Sequence, residues 1–177
     1  MTKTNLPVPL RTLGHDDWVT PPSVFDPVNA AFQFDLDVCA TDARVSKCDR
    51  FLSPTTDALQ VNWGEYGTRA WCNPPYGREL PKWFESAAQA MQNGLDVCVM
   101  LVMANTETIY WQRYVKGTAS EVVFLAPRIR FQRPDGALVS SSAPKGSALV
   151  VYDRWSSNQT VHSYWSYLFE SFDRRSP

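Results

Sequence analysis

The polarity of the chain alternates between two periods. Residues 79–93, "ELPKWFESAAQAMQN", set Trp83, Phe84, Ala87, Ala88 and Met91 on one face at helical spacing, and Gly94 follows as a stop. Directly afterwards, "DVCVMLVM" (96–103) is apolar without a break, which predicts a strand covered on both sides and hence a parallel sheet. Helical spacing returns in "TETIYWQRYVKG" (106–117), and "EVVFLA" (121–126) reads as a further strand. Upstream, Thr20 followed by Pro21 predicts a helix start with Val24, Phe25, Val28 and Phe32 on its buried face. "FQFDLDVCA" (32–40) ends in a predicted strand, and so does "RAWCN" (69–73). Near the end, "RIRFQR" (128–133) and "SALVVYD" (147–153) predict two strands joined by a long polar loop. The stripe Val161, Tyr164, Trp165, Leu168, Phe169 and Phe172 predicts a final helix.

Strands alternating with helices predict an α/β sandwich with a mainly parallel sheet and an antiparallel C-terminal hairpin. Residues 1–16, which contain Pro7 and Pro9 and show no period, predict a loose arm, and 17–177 a single domain. A chain of 177 residues with 44% hydrophobic and 13% aromatic content is long enough and apolar enough to bury one core. Apolar runs fall short of the roughly eighteen residues that span a bilayer, and the first residues lack the apolar middle of a signal peptide, so a soluble, cytoplasmic protein is expected. The cysteines at 39, 48, 72 and 98 form no Cys-x-x-Cys pair, which predicts reduced thiols and no metal site. The net charge of -1 excludes a generally basic coat. Locally, however, Arg113, Lys116, Arg128, Arg130 and Arg133 face Glu121 alone between residues 111 and 133.

The most specific chemistry lies in "WCNPPYG" (71–77), at the end of a predicted strand, where ligands bind in open α/β sheets. Two prolines stiffen the backbone and keep amide donors away from its carbonyls. The Asn73 side chain and the Pro74 carbonyl can then face one ligand group, and a nitrogen that donates two hydrogen bonds is an amino group. Tyr76 can stack on the planar ring that carries it.

With "DDWVTPPSVFDPV" (16–28), "FDLDVCATDA" (34–43), "TTDALQVNW" (55–63) and "APRIRF" (126–131) in order around it, this motif resembles the phage and prophage DNA N6-adenine methyltransferase family. The resemblance implies a Rossmann-like fold with helices on both sheet faces and S-adenosylmethionine as cofactor. It implies that Asn73, Pro74, Pro75 and Tyr76 form the catalytic tetrapeptide. Trp18, Thr20 and Pro21 would lie against the methionine part of the cofactor, and Asp37, Cys39 and Ala40 would hold its amino acid end. Asp57, with Leu59, would sit near its adenine, and Asn73 would border the same site. Unlike many nucleotide sites, "DVCATDA" holds no glycine, and Asp42 is the candidate for the ribose hydroxyls.

The chemistry so implied is direct methyl transfer to an exocyclic amine of a flipped adenine, without a metal. Double-stranded DNA is the implied partner, with Arg128, Arg130 and Arg133 as phosphate ligands. No membrane is implied, the oligomeric state is left open, and the setting is a bacterial host cell. The same motif fits transfer to RNA or to a protein glutamine, or a DNA-binding module that keeps the fold without turnover. Transfer to a cytosine amine is disfavoured by Asn at position 73.

Overall fold

A computed structural model of the chain describes residues 18–156, 160–168 and 170–173. The arm expected at 1–16 lies outside the described residues. In chain order the elements are α1 (Pro22–Phe32), β1 (Leu36–Asp37), β2 (Arg50–Phe51), a 3-10 turn (Trp63–Glu65), β3 (Arg69–Cys72), α2 (Leu80–Gln92), β4 (Val97–Met103), α3 (Ile109–Tyr114), β5 (Glu121–Ala126), β6 (Ser147–Asp153) and β7 (Val161–Ser166). Among the described residues seven strands form one sheet in the order β2-β1-β3-β4-β6-β5-β7. β6 runs antiparallel to both of its neighbours, and every other pairing is parallel.

The unbroken apolar run of β4 has the expected consequence. Cys98, Met100 and Val102 share a core with Trp83 and Phe84 of α2 and Trp111 of α3. Val97, Val99 and Leu101 share the other core with Val24, Phe25, Val28 and Phe32 of α1. Alternate side chains of a strand leave opposite faces, so β4 is buried from both sides. α2 ends where its sequence allows: Gly94 takes φ +109°, a conformation that side-chain-bearing residues rarely adopt. β1 and β3 are clasped at their starts by Asp35, whose carboxylate accepts from the backbone N–H groups of Thr68 and Arg69 at 3.0 and 2.8 Å. Gly67 permits that approach, since a Cβ there would fall 2.7 Å from Leu36 Cβ.

Three expectations are corrected. The helix after Thr20 begins at Pro22, with Pro21 as its N-cap, and no side chain among the described residues caps it. The Pro21 carbonyl takes the N–H groups of Val24 and Phe25, both at 3.0 Å. The segment 128–133 is not a strand. Ile129 and Phe131 are buried while Arg128, Arg130 and Arg133 are exposed, which imitates strand alternation. Its backbone nevertheless bonds to the following loop, Val139 N–H to the Phe131 carbonyl and Ala143 N–H to that of Ile129, and to Val19. The antiparallel hairpin is therefore β5 with β6.

The final helix is also absent, since 161–166 forms β7 beside β5. Val161 and Tyr164, two members of the expected stripe, are 48% and 80% exposed, whereas Trp165 is buried. Pairing with β5 satisfies the backbone of this β-branched and aromatic segment, and that tertiary gain overrides the apparent period. Phe169 of the same stripe lies outside the described residues.

Candidate functional site

The chain passes from β1 out to β2 and then back to β3 on the other side of β1, so the strand order reverses between β1 and β3. Clefts in open α/β sheets form beyond the strand ends at such a reversal. A cavity of about 370 Å³ lies there, within the roughly 300–1,000 Å³ range of small-molecule sites. Asp37, Cys39 and Ala40 line it from the end of β1, Asn73 and Pro75 from the end of β3, Trp18 and Thr20 from the approach to α1, and Asp57 from the loop after β2. Trp63 pins that loop, its buried indole N–H donating to the Ala58 carbonyl at 2.7 Å.

Asp37 is 4% exposed. One carboxylate oxygen accepts from Cys39 N–H at 3.0 Å and the other from Lys47 N–H at 2.9 Å. Burial pushes its carboxyl above the usual 3.8, while those two N–H groups and the Lys47 charge pull it back. A cation entering the cavity would favour the carboxylate. Thr20 is 1% exposed, and its Oγ1 is buried without a hydrogen-bond partner among the described residues. A buried hydroxyl left so is costly, and this one belongs to a cavity-lining residue.

Asn73 is oriented by its neighbours. Its Nδ2 donates to the Trp18 carbonyl at 3.1 Å, which turns Oδ1 the other way, toward the Tyr76 hydroxyl at 3.1 Å. No hydrogen bond reaches the Pro74 carbonyl from the described residues. An amide oxygen and a proline carbonyl thus stand at consecutive positions on a stiff turn beside a cavity with a buried acid.

A family model described as DNA N-6-adenine-methyltransferase (Dam) matches residues 4–169. The chain belongs to the Dam family. A search of curated proteins returned no match.

In this Dam-family chain not every candidate residue reaches the cavity. Pro21, Leu59, Pro74 and Tyr76 are absent from its lining, and so is Asp42, which is bound instead to Arg44 at 2.8 Å. Leu59 packs against the core, and its N–H donates to Asp57 Oδ1 at 3.2 Å. Tyr76, expected to stack on the ligand's ring, is half-buried. It packs edge-on to Phe131, whose other neighbour is the stacked Trp18 ring. Its hydroxyl lies between Asn73 Oδ1 and the Leu101 carbonyl, 3.3 Å away, and burial raises its pKa far beyond the ordinary phenol value.

Arg128, Arg130 and Arg133 are exposed on the loop after β5. The guanidinium of Arg128 donates to the Pro144 carbonyl at 3.0 Å and that of Arg130 to the Ser140 carbonyl at 3.3 Å, so both brace the loop. The next residue after Arg133, Pro134, borders the cavity. Cys39 and Cys72 approach to 3.6 Å between their sulfurs. Burial pushes both thiols up, which keeps them protonated and poorly nucleophilic.

The residue-type signals missed Lys47, Trp83 and Pro134, which also line the cavity. Trp83 was legible only as a helix-face residue, and Lys47 stands in a stretch without period. Among the described residues no cluster of three or more His, Cys, Asp or Glu side chains could hold a metal ion, and no helix is long and apolar enough to cross a membrane.

Proposed function

We propose that this Dam-family chain transfers a methyl group from S-adenosylmethionine to the exocyclic N6 amine of adenine in double-stranded DNA. In this reading residues 17–177 act as one Rossmann-like methyltransferase domain with helices on both faces of its sheet. The observation that carries it is the presentation of Asn73 Oδ1 beside the cavity, its amide fixed by the Trp18 carbonyl.

The cavity fits the cofactor on the chemistry of its lining. Asp37 offers a buried carboxylate for an ammonium, Thr20 offers a hydroxyl that lacks a partner among the described residues, and Trp83 and Ala58 offer apolar surface for a purine. Trp18 and Cys39 would enclose the methionine portion, and Asp57 would face the adenine end. When bound, S-adenosylmethionine supplies an electrophilic methyl group, and the protein supplies geometry.

The residues of the turn do the rest. The amine of adenine is a poor nucleophile because its lone pair is delocalised into the ring. Asn73 Oδ1 and the Pro74 carbonyl accept its two hydrogens, draw the nitrogen toward tetrahedral geometry and stabilise the positive charge that develops there. The Tyr76 hydroxyl does not block this. An amide oxygen has two lone pairs, and the Leu101 carbonyl is an alternative acceptor for the phenol at 3.3 Å. With its pKa raised by burial, Tyr76 stays protonated and acts by contact, stacking on a base that has left the duplex. Neither cysteine needs to form a covalent bond. The extra proton of the methylated amine passes to water.

The test is transfer of labelled methyl groups from S-adenosylmethionine by the purified chain. Label in N6-methyladenine of duplex DNA is the expected product, and exclusive labelling of RNA or protein glutamine would replace this reading.

A further inference from the structure

The cavity contains one element that the proposed reaction has not used. Lys47 is the only cation among its described lining residues, which include two acids, Asp37 and Asp57. Its place follows from the backbone. Lys47 N–H donates to Asp37 Oδ2 at 2.9 Å, so the loop leaving β1 folds back ten residues later onto the strand end it came from. The Lys47 stem then lies beside α1, with Nζ 5.5 Å from the centre of the Phe25 ring. Asp26 on α1 and Asp37 on β1 are the acids that act on it. Neither forms an ion pair with it within 4.0 Å, and no other described acid does.

A half-buried ammonium without a close counter-ion among the described residues is expensive to keep. This one shares a cavity with a buried carboxylate and with Thr20 Oγ1, a hydroxyl buried at 1% exposure that has no described partner. Adjacent positive and negative groups with a spare hydroxyl match a zwitterion, an α-amino acid end with an ammonium and a carboxylate on one carbon. Resting on the S-adenosylmethionine reading above, we infer that Lys47 binds the carboxylate of the cofactor's amino acid end, with Thr20 Oγ1 on the same group, while Asp37 takes its ammonium. Lys47 is then a specificity residue, which makes the site select cofactors that keep the carboxylate.

Substitution at Lys47 keeps the backbone N–H that holds Asp37, so side-chain variants address the ammonium alone. Titration calorimetry of the full chain with S-adenosylmethionine and with its decarboxylated analogue, which retains the ammonium, separates the two charges. The wild type should prefer the carboxylated ligand. Lys47→Met should weaken S-adenosylmethionine binding by roughly 10- to 100-fold, the range of one charge-assisted hydrogen bond, and leave the analogue unchanged. Lys47→Arg should keep the preference, and it serves as the second variant should Lys47→Met fail to fold. Equal weakening of both ligands in Lys47→Met, or loss of the preference in folded Lys47→Arg, overturns the assignment while the cofactor reading stands. Failure of the wild type to bind either ligand overturns the cofactor reading and this inference with it.

Discussion

Replacing Asn73 with alanine separates its chemical role from its structural one. The side chain makes two contacts, Nδ2 to the Trp18 carbonyl and Oδ1 from the Tyr76 hydroxyl, both at 3.1 Å. Losing the first should cost about 0.5–1.5 kcal/mol of stability. Losing the second should cost less, because the Tyr76 hydroxyl has the Leu101 carbonyl as a second acceptor. A domain with roughly 5–15 kcal/mol of stability survives both losses. The effect on rate is of another size. Removing one preorganised partner of a developing charge typically costs about 100- to 1,000-fold in turnover. Asn73→Ala should therefore remain folded and bind S-adenosylmethionine within a few-fold of wild type, yet lose at least about 100-fold in single-turnover methyl transfer. Thermal unfolding, calorimetry and quenched-flow transfer of labelled methyl groups measure the three quantities. A rate within tenfold of wild type would refute the role of Asn73. A rate loss that follows the loss of folded protein would refute it as well.

Three further outcomes follow from other parts of the structure. Because burial raises the Asp37 carboxyl above its usual 3.8, and a ligand ammonium favours the ionised form, cofactor affinity should be full above that raised value and fall as the pH drops through it; Asp37→Asn should show weaker, flatter binding by calorimetry, and an unchanged pH profile would exclude the pairing. Arg130→Ala with Arg133→Ala should weaken binding to every DNA sequence and flatten the log–log salt dependence by about two units, one per phosphate contact, in fluorescence anisotropy; an unchanged slope would place the phosphate contacts elsewhere. Phe84, fully buried and stacked 5.1 Å from Tyr110, should cost about 3–5 kcal/mol on replacement by alanine in urea unfolding, and a loss below 1 kcal/mol would contradict the packing of α2 on the sheet.

How legible the fold was depended on how local its causes are. β4 could be read because burial on both faces leaves no polar position in "VCVMLVM", and α2 because one face alone is buried. β7 could not, since its identity comes from pairing with β5 while most of its side chains stay at the surface. Residues 128–133 misled for the opposite reason: they alternate like a strand, but their backbone bonds go to a loop and to Val19. In the site, "NPPY" stood out because two prolines after an amide constrain the backbone in a way few other sequences do. Lys47 did not, because it enters the cavity only through the N–H bond that folds its loop onto Asp37. A lysine in a polar stretch otherwise reads as solvated charge.

The most direct measurement is mass spectrometry and methylation-sensitive sequencing of DNA from cells that lack adenine methylation of their own and express this chain. N6-methyladenine should appear, and, with the loop at 134–146 as the proposed reader of the target, at a short or degenerate site, since one loop makes few base contacts and each good one supplies only about 1–3 kcal/mol of discrimination. The Asn73→Ala strain should show almost none. DNA free of N6-methyladenine in cells that hold folded, cofactor-binding protein would contradict the central claim.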